Sequence, residues 1–194
     1  RIITIEDTLE LNLRPGNFVR LLSRPPDIKG EGEISIRFLF TNALRMRPKR
    51  LILGEVRGAE AMDYIQALNS GHSGTLAVLH AASPRDAITR LETMALYAGL
   101  DLPMWSIRGQ VASGLDLIIQ HEQLSDGTRK ITHITEVIGQ GKEEILLKDI
   151  YRYDAEETEV DAAIHGAFVA VEPPTFLAKL RTRGVHMEEE LFKN

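Results

Sequence analysis

Apolar residues in this chain come as short runs separated by stretches of helical spacing. Residues 1–5 are a β-branched run closed by Glu6-Asp7-Thr8, the pattern of a buried strand with acids at its C-terminal end. Residues 51–53 and 75–79 repeat that pattern, closed by Gly54-Glu55 and by His80. Between them, Ile36, Leu39, Phe40, Ala43 and Leu44 fall on one helical face behind Ser35 as N-cap, and Pro48 ends the helix. Residues 59–68 predict a second helix. Ser83-Pro84-Arg85-Asp86 opens a third, with a cap, a first-turn proline and an acid at the positive end of the dipole. Ile88, Leu91, Ala95 and Ala98 form its apolar face, Asp86 and Arg90 an i,i+4 pair, and Gly99 stops it. Residues 104–113 predict a fourth helix and 115–119 a fourth apolar strand. Residues 130–137 and 145–153 alternate, with turn signals at Asp126-Gly127 and Gly139-Gln140-Gly141.

Strands alternating with helices predict an α/β fold, a mainly parallel sheet with helices on both faces. Ligands of such sheets sit at the C-terminal strand ends, and here three runs end in Glu6-Asp7, Glu55 and His80. Residues 14–34, with Pro15-Gly16, Pro25-Pro26 and Gly30-Glu31-Gly32, read as a long loop, and long loops in compact domains are functional or flexible. Asp154, Glu156, Glu157, Glu159 and Asp161 put five acids in eight residues, a solvated linker. Behind it Pro173-Pro174 precedes a short helix bearing Phe176, Leu177 and Leu180. The expected division is a domain over 1–153 and a linker with a small tail subdomain over 154–194.

Composition narrows the function. The chain has 194 residues, 43% hydrophobic and 26% charged, which suits one globular domain with an appendage and excludes disorder. A net charge of -5 argues against nucleic acid as a partner. The absence of cysteine removes disulfides, thiolate metal sites and cysteine nucleophiles, and suits a reducing cytoplasm. No apolar run approaches the roughly 18 residues of a membrane span, so no direct membrane insertion is expected. The chain opens at Arg1, inside a strand pattern, which predicts a fragment truncated at its N-terminus.

Glu6 or Asp7 can orient a water or take its proton, or can cap the following turn. Glu55 can hold Mg²⁺, directly or through water, and Gly54 admits close backbone approach. His72 and His80 lie eight apart, a poor metal spacing; either can contact a phosphate oxygen or serve packing. Arg45, Arg47, Lys49, Arg50 and Arg57 place five cations in 13 residues, and Arg14, Arg20 and Arg24 lie in the long loop. They suit a solvated face, or phosphate recognition across a subunit boundary. No G-x-x-x-x-G-K-[ST] loop is present in these residues, nor a Ser-x-x-Lys or nucleophile-elbow signature.

Together these residues resemble the secretion ATPase superfamily of type II and type IV secretion and pilus systems, most nearly the CpaF-like ATPases of tight-adherence (Flp) pili. Residues 4–11 (Thr-Ile-Glu-Asp-Thr-Leu-Glu-Leu) resemble its Asp box, 51–58 (Leu-Ile-Leu-Gly-Glu-Val-Arg-Gly) its atypical Walker B, and Gly71-His72-Ser73-Gly74-Thr75 through Leu79-His80-Ala81 its His box. Residues 42–48 and 83–87 are close to the subgroup. The resemblance covers about 1–153. It implies a RecA-like P-loop NTPase core working with ATP and Mg²⁺ in a hexameric homo-oligomer, cytoplasmic and peripheral to the inner membrane through secretion or pilus platform proteins. It makes Glu6 the catalytic carboxylate, Glu55 the Mg²⁺-bound Walker B residue, and His80, or His72, the contact between γ-phosphate and motion. Asp7, Gly54, Arg57, Arg45 and Arg20 are the expected nucleotide-side residues. The Walker A segment precedes the Asp box in relatives, so these 194 residues alone are expected to bind ATP weakly or not at all.

Two other readings compete: a non-catalytic ring-assembly and partner-docking module with a degenerate half-site, and a metal-dependent phosphodiesterase using Glu6, Asp7 and Glu55.

Overall fold

A computed structural model describes residues 1–13, 16–72, 74–155 and 165–192. Arg14, Ser73 and the acids Glu156, Glu157, Glu159 and Asp161 of the expected linker lie outside the described residues. The chain divides into two compact units, residues 1–80 with 89–114, and 81–88 with 115–194.

The first unit is built on a four-stranded parallel sheet, β1 (Ile2–Glu6), β2 (Phe18–Leu22), β3 (Arg50–Leu53) and β4 (Thr75–Ala77), in the order β2-β1-β3-β4. Ile3 pairs with Leu51 and Ile5 with Leu53, and all four are buried; the two-residue period puts them on one face. Helix α1 (Ile36–Arg45) packs on β1 and β2 through Leu39, Phe40 and Ala43. The hydroxyl of Ser35 accepts from Phe38 N at 3.1 Å, the predicted N-cap. Helix α2 (Glu60–Asn69) buries Ala61, Met62, Tyr64, Ile65 and Ala67 and packs on α1 and on α4 (Met104–Gly114). Burial without a counter-charge pushes the Tyr64 phenol up to about 12.

Helix α3 (Pro84–Leu96) starts where predicted. Ser83 Oγ accepts from Asp86 N at 3.1 Å and donates to Asp86 Oδ2 at 2.8 Å. Gly99, at φ 70°, closes the following turn.

The second unit holds β5 (Leu117–Gln123), β6 (Arg129–Gln140), β7 (Ile145–Ala155) and β8 (Gly166–Ala170), all antiparallel in the order β5-β6-β7-β8. Helix α5 (Leu177–Thr182) and a short 3-10 helix, Glu189–Phe192, follow. The apolar run at 115–119 therefore belongs to this second sheet rather than to a single parallel one. The two-residue alternation of 130–137 and 145–153 marks half-covered antiparallel strands, and Asp126-Gly127 turns the chain directly between neighbours: Asp126 Oδ1 accepts from Thr128 N at 2.9 Å. The expected line between residues 153 and 154 falls within β7, and β7 pairs with β8 beyond it.

A buried carboxylate ties the tail to this sheet. Glu136 takes Lys148 Nζ at 3.5 Å, Thr175 N at 2.9 Å and the Thr175 hydroxyl, while Lys148 Nζ donates to Pro173 O at 2.8 Å.

Candidate functional site

The parallel sheet delivers Glu6, Gly54, Glu55 and His80 to its C-terminal edge, because β1, β3 and β4 run the same way and stop in register. Gly54 N donates to Ile5 O at 2.8 Å, extending the β1–β3 ladder one residue past the strand. A Cβ on Gly54 would stand 3.1 Å from Glu6 Cγ and 3.4 Å from Ile5 O. A side chain at this position would push the Glu6 side chain aside by a few tenths of an ångström.

Glu6 is buried and its oxygens are engaged. Oε1 accepts from Glu10 N at 3.0 Å and Leu11 N at 2.9 Å; Oε2 accepts from the Thr4 hydroxyl at 3.2 Å and faces Arg20 Nε at 3.6 Å. Arg20 projects from β2, a strand hidden within the predicted loop; its guanidinium also donates to Leu11 O at 2.8 Å and stacks over Phe18.

Glu55 is different. Its side chain is 14% exposed, Oε1 pairs with the Arg57 guanidinium, and Oε2 is buried with no hydrogen-bond partner. His80 Nε2 stands 3.7 Å from that oxygen, beyond hydrogen-bond range, on a side chain 76% exposed. Arg57 also reaches Asp7 Oδ2 at 3.2 Å. The hydrogen bond to Glu55, opposed by desolvation and joined by the charges of Glu55, Asp7 and Glu10, holds the Arg57 guanidinium above its ordinary pKa. Glu60 Oε1 accepts from Arg57 N at 2.7 Å and Gly58 N at 2.9 Å, closing the turn that leads from Glu55 into α2. A cavity of about 620 Å³ opens beside this edge, lined by Asp7, Ser23, Glu33, Arg37 and Glu60 among others, and not by Glu55 or His80.

Glu6, Asp7, Arg20, Gly54, Glu55, Arg57 and His80 therefore meet. Two expected residues do not join them. His72 precedes Thr75, which pairs with Leu51 near the start of β3, so His72 lies at the opposite edge; its Nδ1 is 3.1 Å from Ser70 Oγ. Arg45 ends α1 on its outer face, beside Phe38, Thr41 and Asn42. Of the basic cluster, Arg45 and Arg47 lie at the end of α1 and Arg57 at the sheet edge. Arg1 Nη1 donates to Met46 O at 2.8 Å, and Arg47 takes the left-handed conformation, φ 53°, that ends the helix. Arg24 is held in its own loop, donating from Nε to Gly32 O at 2.8 Å.

Sequence reasoning missed Thr4, Glu60 and the backbone of residues 10–11 as supports of the site. Thr4 and Glu6 share one strand face two residues apart, the available signal.

The fold is that of an α/β protein with a parallel sheet, and carboxylates, an arginine and a histidine gather at the sheet's C-terminal edge. The family description "Type II/IV secretion system protein" matches residues 1–151, and the chain belongs to that family. A Mycobacterium tuberculosis (H37Rv) protein named for conjugal transfer is 33% identical over 165 residues, 85% of this chain and 46% of that protein. The type IV secretion system protein PtlH of Bordetella pertussis is 41% identical over 126 residues, 63% of this chain and 37% of PtlH. Among solved structures, the VirB11 ATPase of the Brucella suis type IV secretion system, in complex with sulphate, superposes with a TM-score of 0.60 at 35% identity, over 69% of this chain and 39% of that one. The chain spans less than half the length of these relatives.

Proposed function

We propose that this chain is the catalytic and sensing part of a motor ATPase that powers type II/IV secretion or pilus assembly, acting on ATP with Mg²⁺. The observation that carries the reading is Glu55 Oε2, a buried carboxylate oxygen without a hydrogen-bond partner at the C-terminal edge of the sheet. A native fold tolerates such an atom poorly unless a water, ion or substrate meets it. Mg²⁺ characteristically takes one or two carboxylates and completes its shell with water and substrate phosphates. Among the described residues no group of three His, Asp or Glu side chains is arranged to hold a metal by itself, which favours this mode over a self-contained phosphodiesterase centre. Glu55 is thus the Walker B residue of this reading.

When bound, Mg²⁺ would neutralise charge on the transferred phosphate. The chain's own residues do the positioning. Arg57 holds Glu55 Oε1 and leaves Oε2 open. His80 stands exposed beside it, free to meet a phosphate oxygen. Glu6 serves as the water-orienting carboxylate through Oε2, whose partners are a rotatable hydroxyl and an arginine at 3.6 Å, while Oε1 keeps two backbone N–H groups. Arg20 is placed to carry charge at that oxygen, and Asp7 to hold Arg57. The phosphate cradle is not encoded in these 194 residues, so they bind ATP weakly by themselves.

The whole protein works as a homo-oligomeric ring, hexameric by the family resemblance, docked on inner-membrane platform proteins from the cytoplasmic side. No described helix is long and apolar enough to cross a membrane. The tight-adherence subgroup remains our assignment from residues 42–48 and 83–87. The family core over 1–153 and a separate role for 154–194 belong to the same proposal. The test is ATP hydrolysis by the whole protein: we expect it to vanish on chelation, to return with Mg²⁺, and to vanish in Glu55→Gln. Hydrolysis unaffected by both would remove Glu55 and Mg²⁺ from the reading, and no hydrolysis by the whole protein at all would turn it to the assembly module.

A further inference from the structure

The turn from β3 into α2 is pinned along its backbone. Gly54 N donates to Ile5 O at 2.8 Å and Val56 N to Val78 O at 2.9 Å, and the Val56 side chain is buried. Arg57 N and Gly58 N, at 2.7 and 2.9 Å, share one acceptor, Oε1 of Glu60. Glu60 is the first residue of α2, and the N-cap residue before it, Ala59, makes no side-chain cap. An acid at this place is favoured by the helix dipole, a role that needs only charge. The two hydrogen bonds need reach as well, because they run back to residues that precede the helix.

What the pinned turn controls is Arg57. Its side chain is 65% exposed, so packing does little to hold it. An arginine beside a carboxylate frequently takes both oxygens at once. Arg57 instead divides its guanidinium. Nη2 lies on Glu55 Oε1 and Nη1 on Asp7 Oδ2 at 3.2 Å, and Glu55 Oε2 is left without a hydrogen bond. Where the Arg57 backbone sits decides which of these arrangements the side chain can reach.

We infer that Glu60 is a positioning residue for the metal end of the site: by holding the Arg57 and Gly58 N–H groups, it keeps Arg57 on one oxygen of Glu55 and on Asp7, and so keeps Glu55 Oε2 open to Mg²⁺. Glu60 acts through Arg57 and touches neither metal nor nucleotide. The inference rests on the proposed reading of Glu55 as the Mg²⁺ residue.

The test is Mn²⁺ binding to the whole protein in the presence of ADP, followed by electron paramagnetic resonance of the free ion. Two variants separate reach from charge. Glu60→Asp keeps the acid at the helix start but falls one methylene short of the turn. It should weaken Mn²⁺ binding about 10-fold, as loss of a support behind a metal ligand does. Glu60→Gln loses the charge and keeps the acceptor, so it should stay within about 3-fold of the parent. Circular dichroism, and ADP affinity without metal, should be unchanged in both. In an Arg57→Ala background, Glu60→Asp should change Mn²⁺ affinity by less than about 2-fold, because the two residues act in series. Parental affinity in Glu60→Asp, weaker binding in Glu60→Gln than in Glu60→Asp, or equal losses with and without Arg57 would overturn the inference. Glu55→Gln in the same assay checks the reading beneath it. Unchanged Mn²⁺ binding in that variant would remove the reading itself, whereas binding lost there and kept in Glu60→Asp would remove the inference alone.

Discussion

Glu55 past the end of β3 and Glu136 within β6 are both withdrawn from water, and the fold treats them in opposite ways. Glu136, its side chain 4% exposed, has a lysine, a backbone N–H and a hydroxyl distributed over its two oxygens. Glu55 has an arginine on one oxygen and no hydrogen bond on the other. A buried carboxylate that is fully partnered holds structure together, whereas one left open has room for a water, an ion or a substrate. Glu6 stands between them. It is partnered throughout, yet Oε2 is held less tightly than Oε1.

Substitution of the two glutamates should therefore dissociate activity from stability. The largest effect expected is on catalysis. Glu55→Gln in the whole protein should lower kcat for ATP about 10²- to 10³-fold, the range for a group that acts on transition-state charge. Thermal unfolding should be unchanged or slightly improved, because a buried open oxygen is exchanged for a neutral amide. Glu136→Ala should do the reverse. It leaves the Thr175 N–H and hydroxyl without their acceptor and Lys148 without its counter-charge, at a cost of about 1–3 kcal/mol. That corresponds to a fall in Tm of roughly 2–10 °C for a chain of this size, with activity per folded molecule retained. Calorimetry and a steady-state assay on the same preparations decide the matter. A large Tm loss in the first variant, or lost turnover in the second, would break the contrast.

The two histidines repeat the comparison across one sheet. His80 stands at the edge with Glu55, and His72 at the other. His80→Ala should lower turnover about 10-fold, the worth of one hydrogen bond to a charged group. His72→Ala should stay within about 2-fold of the parent. Equal losses would mean that the motif acts as a unit despite the separation.

Much of this was legible in the sequence, for identifiable reasons. The edge that gathers Glu6, Glu55 and His80 follows from short apolar runs whose last residues are polar, since parallel strands stop together. The ends of α1 and α3 follow from Ser35 and Ser83, whose hydroxyls cap as predicted. Strand β2 was not legible: Phe18–Leu22 is a five-residue edge strand interrupted by Arg20, set between turn-forming residues, and its burial comes from pairing with β1. The separation of the second sheet was half legible, since alternation and hairpin turns were present while strand order is a tertiary property. The open state of Glu55 Oε2 depends on how Arg57 and His80 fall around it, which spacing does not encode.

Asp63, in the first turn after the α2 start, sharpens the contrast from its weak end. Oδ2 faces Arg37 Nε at 2.8 Å, but in poor alignment, and burial outweighs the arginine, so the Asp63 carboxyl sits above its ordinary pKa. A raised carboxyl favours the folded state when it is protonated. Its contribution is therefore fully present below the unfolded value, near 3.8, and is lost as pH rises through the folded value. Asp63→Asn cannot ionise, so it should gain on the parent as pH rises from about 3 to 6, by less than about 1 kcal/mol because the side chain keeps some contact with solvent. Urea titrations at the two pH values measure the difference. A variant that loses ground as pH rises would show that the Arg37 pair prevails over burial, and would move Asp63 to the side of Glu136.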